Sequence, residues 1–325
     1  MKNYSVRKYE VTDFELWNAF ISKAKNATFL FHRDFMDYHK DKFDDFSLLV
    51  FENEKLVSVL PANIVEKTIF SHQGLTYGGL IYSEKIKLIG VIDIFKTILI
   101  FLNQNNINTI LLKRIPNIYT SLPSEELLYP LFLVKSKLIR RDSMSVINLK
   151  KPFSISKGRF EGINKGIQNK LKIIEEPNFK GFWNEILIPN LKLKHQAEPV
   201  HSVDEIKMLN IKFPKQIRQF NVYSNNKIVA GTTIFETQTV AHSQYISGDN
   251  SKNELGSLDY LYHYLITDVF KDKDFFDFGT SNEDQGKKIN GGLNFWKESF
   301  GASTVCQDFY EIETANFNLL ENIIL

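Results

Sequence analysis

A single cysteine, Cys306, among 325 residues excludes an internal disulfide framework and any metal site built on several thiolates, and it suits a reducing compartment. A dominant charge is missing too. Forty Lys and Arg stand against 38 Asp and Glu, a formal net charge of +2. Such a surface does not attract DNA or a membrane as a whole, so an anionic partner has to be met by a local patch. No apolar run reaches the roughly 20 residues that a spanning helix needs. The nearest, Leu88 to Leu102, carries Asp93 and Lys96 and reads as a buried amphipathic helix. Met1 to Glu10 has basic residues but neither an apolar segment nor a cleavage-site pattern, so no signal peptide is expected and the expected location is cytoplasmic. Sustained heptads, and with them a coiled-coil arm, are also missing.

What is present is a core. Apolar residues make up 43% and aromatics 13%, with 27 Phe and 13 Tyr, which predicts a thick, sheet-rich interior. The length allows two domains of ordinary size.

An internal repeat organises the chain. Val50 to Val57 reads as strand, Asn-containing turn, strand, and Val222 to Val229 reads the same way. Downstream, Ala62 to Glu66 leads into Ser71 to Gly79, and Thr232 to Glu236 leads into His242 to Gly248. A helix follows each: Lys87 to Asn103, and a second on which Leu258, Leu261, Tyr262, Leu265 and Val269 share a face. Each copy closes on a short strand, Thr109 to Ile115 and Phe275 to Phe278. Between the copies, Lys150 to Lys172 holds seven basic residues, Arg159 among them, against Glu161 alone. Pro152, Gly158, Gly162 and Gly166 predict an irregular start. Phe160, Ile163, Ile167 and Leu171 predict the apolar stripe of a basic helix, which is either a solvated linker or a phosphate-facing patch.

Phe276-Asp277-Phe278-Gly279, followed by Gly291-Gly292-Leu293-Asn294-Phe295-Trp296-Lys297-Glu298-Ser299-Phe300-Gly301, resembles the double-domain branch of the GNAT superfamily. That branch includes the Fem aminoacyltransferases and FemAB-like polysaccharide-cluster acyltransferases. The resemblance implies an α/β (α+β) fold of two tandem GNAT-like domains, each a mixed twisted sheet flanked by helices. The expected domains are 1–150 and 151–325, the second opening with the basic helix. It also implies an N-acyltransferase, with acetyl-CoA or another acyl-CoA as donor and an amino group of a sugar nucleotide, glycan precursor or amino-acid derivative as acceptor. Two alternatives stand beside it: a Fem-like enzyme moving an aminoacyl group from tRNA to a peptidoglycan precursor, and a catalytically silent binding module. Of the loop that wraps the CoA pyrophosphate in GNAT enzymes, Asn253 to Leu258 keeps only the first glycine.

Acyl transfer to an amine needs a base, an oxyanion donor and two reactants held in line. Gly256, Ser257 and Leu258, opening a helix, are the expected seat of the donor's phosphates; an ordinary N-cap at Ser257 is the alternative. On the strand from Val240 to Ser247, alternation places His242 and Gln244 on one face, with Ser243 and Tyr245 on the other. His201, His242 and Asp277 are the expected catalytic residues. His201 is the favoured base, and Asp277 orients a base or holds the substrate ammonium. Ser202, Gln244, Tyr245, Asn290, Lys297 and Arg159 are the expected substrate contacts. Ser202 and Glu205 also form a capping-box pattern. His195 and His201, six residues apart, lack the acidic partners of a metal site, so no metal is expected.

Overall fold

The structure, a computed structural model, describes residues 3–324. Its contacts divide the chain into two compact units, Met1–Asp142 with Cys306–Leu325, and Ser143–Val305. The sequence reading set one cut between 150 and 151. In the structure, residues 309–313 of the strand Ser303–Glu313 pair with Thr109–Lys113, so the end of the chain packs with the first unit.

The first unit holds a four-stranded sheet of Tyr4–Lys8, Leu48–Glu52, Lys55–Leu60 and Ile81–Tyr82. Beside it in sequence are the short strands Asn63–Val65 and Thr68–Phe70, the latter parallel to Thr109–Lys113. The helix Leu88–Gln104 forms where expected and buries Val91, Ile94, Phe95, Ile98 and Leu102 among Leu48, Val50 and Val57. Among the described residues, no helix is long and apolar enough to cross a membrane.

The second unit is one twisted sheet in the order Lys172–Glu175, Ile217–Ser224, Lys227–Glu236, Val240–Gly248, Phe275–Thr280, and then residues 144–148 of Lys137–Asn148. Among these strands the Val240 and Phe275 pair is parallel, and the other four pairings are antiparallel. The helix Ser257–Tyr264 covers one face, packing Leu261 and Tyr262 onto Ala241, Phe276 and Phe278. The other face meets a helical run from Phe179 through a π-helical turn, Trp183–Leu187, into Ile188–His195. Pro189 at the start of that last helix offers no N–H to the turn before it, a local cause for the wider winding.

The repeat extends to detail. Both hairpins close through two residues, Asn53-Glu54 and Asn225-Asn226, with Asn53, Asn225 and Asn226 in the left-handed region. Each ladder also slips by one residue at the same place, leaving Val57 unpaired in one copy and Val229 in the other.

Two expectations are corrected. The segment after Lys150 is irregular only as far as Ser156, which caps a regular helix, Lys157–Gln168. Gly162 and Gly166 lie inside that helix, because a Cβ at either would overlap Asp259 or Tyr260 of the Ser257 helix. Its buried face is therefore Gly162, Ile163 and Gly166, while Phe160 and Ile167 of the expected stripe stay exposed. The alternation along Val240–Gly248 also fails. The ladder pairs Tyr245 with Thr233 but Ser243 with Ile234, so Gln244 is the extra residue of a β-bulge. Ser243 then meets the Tyr262 hydroxyl on one face, and Tyr245 turns to Trp183 on the other.

Candidate functional site

The second unit's sheet opens a wedge. The Val240 and Phe275 strands pair over three rungs, the last being His242 opposite Asp277. Beyond it Gly279 adopts φ +73°, and the Phe275 strand slips register against its other neighbour. The Val240 strand continues to Gly248, and among the described residues no strand pairs with it on that side beyond His242. A cavity of about 420 Å³ lies there, lined by Ile246 and Ser247 of the strand, Leu258 and Asp259 of the Ser257 helix, Leu187, and Trp296 of the helix Gly291–Glu298.

At the apex, buried side chains form one network. His242 Nδ1 lies 3.0 Å from Asp277 Oδ2, and Asp277 Oδ1 accepts from the Gly279 amide at 2.7 Å. Lys297 is buried as well, and its Nζ donates to the carbonyls of Gly279 (3.0 Å) and Thr280 (2.7 Å), the two residues at which the strand departs. Burial pulls the Lys297 pKa down from 10.5 to about 8, and the nearby Asp277 charge opposes the shift. A carboxylate on Nδ1 orients an imidazole and stabilises its charged form, so the pair can carry a proton.

The other expected residues sit as follows. His201 Nδ1 is 2.6 Å from the Tyr245 hydroxyl, whose pKa burial raises. Ser202 caps the helix Val203–Lys212, in a capping box with Glu205. Gln244 is the bulge residue. Asn290 caps the Gly291 helix through Leu293 N and reaches Glu283. Arg159 pairs with Asp259 at 2.7 Å, and the same carboxylate oxygen accepts from Trp296 Nε1 at 2.8 Å. Gly256, at φ +69°, packs against the Gly162 carbonyl and Lys165 of the Lys157 helix, and Ser257 is fully buried; Leu258 lines the cavity. The structure thus joins His242, Asp277 and Lys297 in one network and His201 with Tyr245 in another. The side chain of His195 lies outside the described residues.

Two residues of the cavity were not singled out from sequence. Asn190 Nδ2 donates to Ser247 Oγ and to the Gly248 carbonyl, both at 2.8 Å. Asp259 joins the Lys157 helix to Trp296. The only local signal for Asn190 was its place beside Pro189, and Asp259 had the helix-start position.

No protein-family model matches this sequence, and no curated protein matches it either. Solved structures do. FemX superposes with a TM-score of 0.69 over 98% of this chain and 99% of its own, at 9% identity. The C-terminal domain of a protein from Agrobacterium fabrum described as a lysylphosphatidylglycerol synthetase gives 0.60 over 95% of each chain, at 11% identity. L-PGS from Bacillus licheniformis gives 0.58 over 94% of this chain and 92% of its own, also at 11%. At such identities the likeness is one of fold: over nearly its whole length the chain has the fold of FemX and of these two proteins.

Proposed function

We propose that the second unit is a transferase that moves an acyl group from a carrier to an amine. The observation that carries this reading is the parting of two parallel strands at a His–Asp rung, with a cavity beyond it. A carbonyl in the wedge would lie beside the backbone of the Val240 strand where it has parted from the Phe275 strand. The His242–Asp277 pair would take the proton of the attacking amine as the new C–N bond forms and the carrier leaves. Lys297 acts as a positioning residue, holding the two carbonyls that keep the wedge open. His201 positions Tyr245 beneath the same strand, which transfers the role of base from His201 to His242.

Two donors are in view. Acyl-CoA, acetyl-CoA among them, would need phosphates at Gly256 and Ser257, and the Lys157 helix packs on the first while the second is buried. That packing favours the second donor, an aminoacyl-tRNA. An amino group on a glycan or peptidoglycan precursor is the acceptor implied by the Fem resemblance.

The test is transfer measured from acyl-CoA thioesters and from aminoacyl-tRNA in parallel, with His242→Ala and Asp277→Asn beside the unaltered protein. We expect the variants to lose on the order of a hundred- to ten-thousand-fold in rate. Equal turnover by both variants overturns the site, and a rise in melting temperature with CoA alone would return the donor to the acyl-CoA class.

A further inference from the structure

We infer that the group accepted in the wedge cavity carries a bulky, uncharged, apolar side chain, branched aliphatic or aromatic, rather than a bare methyl group or a charged chain. The inference names the substrate class of the site proposed above and rests on that reading only for the identity of this group as the one transferred.

Six apolar side chains wall the cavity: Leu187, Leu191, Ile246, Leu258, Leu293 and Trp296. Its volume of about 420 Å³ is of the size that encloses whole small-molecule ligands. An acetyl group would leave most of those walls against water and gain little of the burial that drives apolar binding.

Two polar side chains at the same walls are already engaged. Asn190 directs its amide to Ser247 and Gly248. Asp259 is the one carboxylate among the lining residues. Its Oδ1 accepts from both Arg159 and Trp296, and Gly162 lies against its Oδ2, so closely that no side chain fits there. A lysyl ammonium entering this space would lose its hydration and meet a carboxylate already neutralised by a guanidinium, with Lys252 also on the lining. An uncharged apolar chain loses nothing on entry.

The experiment is a titration of the methyl-labelled full chain, followed by NMR, with leucinamide, phenylalaninamide, glycinamide, lysinamide and glutamic acid α-amide. All five carry the same ammonium and amide, so they differ only in the side chain. We expect leucinamide and phenylalaninamide to shift the Ile246, Leu258 and Leu293 methyls saturably, at least tenfold more tightly than the other three. Leu258→Trp, which fills the cavity, should remove the response at Leu293, whereas Ile89→Trp on the exposed start of the Leu88 helix should leave it. If Leu258→Trp loses its methyl dispersion, Leu293→Phe serves as the filling variant. The inference is overturned if the glycyl, lysyl or glutamyl amide binds as tightly, or if none of the five moves these methyls. Selective binding of leucinamide by a protein that transfers nothing would uphold the cavity's preference and sink the transferase reading, so the two failures are separable.

Discussion

Each unit brings a parallel strand pair together over three rungs, and the two units treat the space beyond differently. In the first, Thr68–Phe70 pairs with Thr109, Ile110 and Leu111, and the next residues stitch the gap shut. Ser71 N donates to Leu111 O, Lys113 N to Ser71 Oγ, and Gly78 N to Lys113 O. Gly78 fits so tightly that a Cβ there would overlap the Ser71 carbonyl. Lys113, half-buried and with its pKa lowered to about 8 chiefly by desolvation, donates to Leu75 O and fastens the same loop. In the second unit the third rung is His242 and Asp277 where the first has Phe70 and Leu111, and among the described residues no further strand pairing closes the gap beyond it. One duplicated plan thus yields a closed, apolar joint and an open, polar one. Chemistry needs room and ionisable groups, and the second joint brings the two together.

The largest effect that would sharpen this contrast is kinetic. Asp277→Asn should cost transfer on the order of a hundred- to ten-thousand-fold, whereas Phe70→Leu at the corresponding rung should leave turnover unchanged. Loss of activity in the second variant with its stability intact would break the contrast. Next comes stability. Gly78→Ala sets a methyl group against the Ser71 carbonyl and should destabilise the first unit by about 1–3 kcal/mol, read as a lower denaturation midpoint. An unshifted midpoint would show that the stitched joint is looser than described.

A third test uses pH. Lys297 has a folded-state pKa lowered from 10.5 to about 8, so its ammonium is present at neutral pH and lost as pH rises through about 8. Turnover should fall about tenfold between pH 7 and pH 9, and Lys297→Met should remove that limb. The sign for stability is opposite. Between about pH 8 and 10.5 the unfolded chain holds the proton that the folded chain has released, so this group makes folding more favourable as pH rises. The smallest effect concerns a residue outside the wedge. Ser202→Ala should cost about 1 kcal/mol of stability by uncapping its helix and leave the KM for the acceptor unchanged. A raised KM would restore Ser202 as a substrate contact.

Legibility followed the range of the forces involved. Each Asn turn and the Ser202–Glu205 capping box is settled within a few residues, and both were readable directly. The helix Leu88–Gln104 was readable because its apolar spacing repeats over several turns. Gln244 was misplaced because a bulge depends on the facing strand: Thr233 and Ile234 of the neighbour decide which residue is left over. Glycines 162 and 166 looked like breakers because the sequence does not display the helix that presses against them.

The sequence by itself determined the duplicated order of elements, the turn and cap chemistry, and the set of polar residues from which a site could be drawn. It also ruled out a disulfide framework and a uniformly basic surface. Only the tertiary structure decided that His242 meets Asp277, that Lys297 is buried on the carbonyls of a departing strand, and that Arg159 pairs with Asp259. It also decided that one joint is open and the other closed. The physical reason is that turns and caps are satisfied by neighbours in the chain, whereas a buried charge or an open wedge is defined by partners dozens of residues away, whose approach no local pattern encodes.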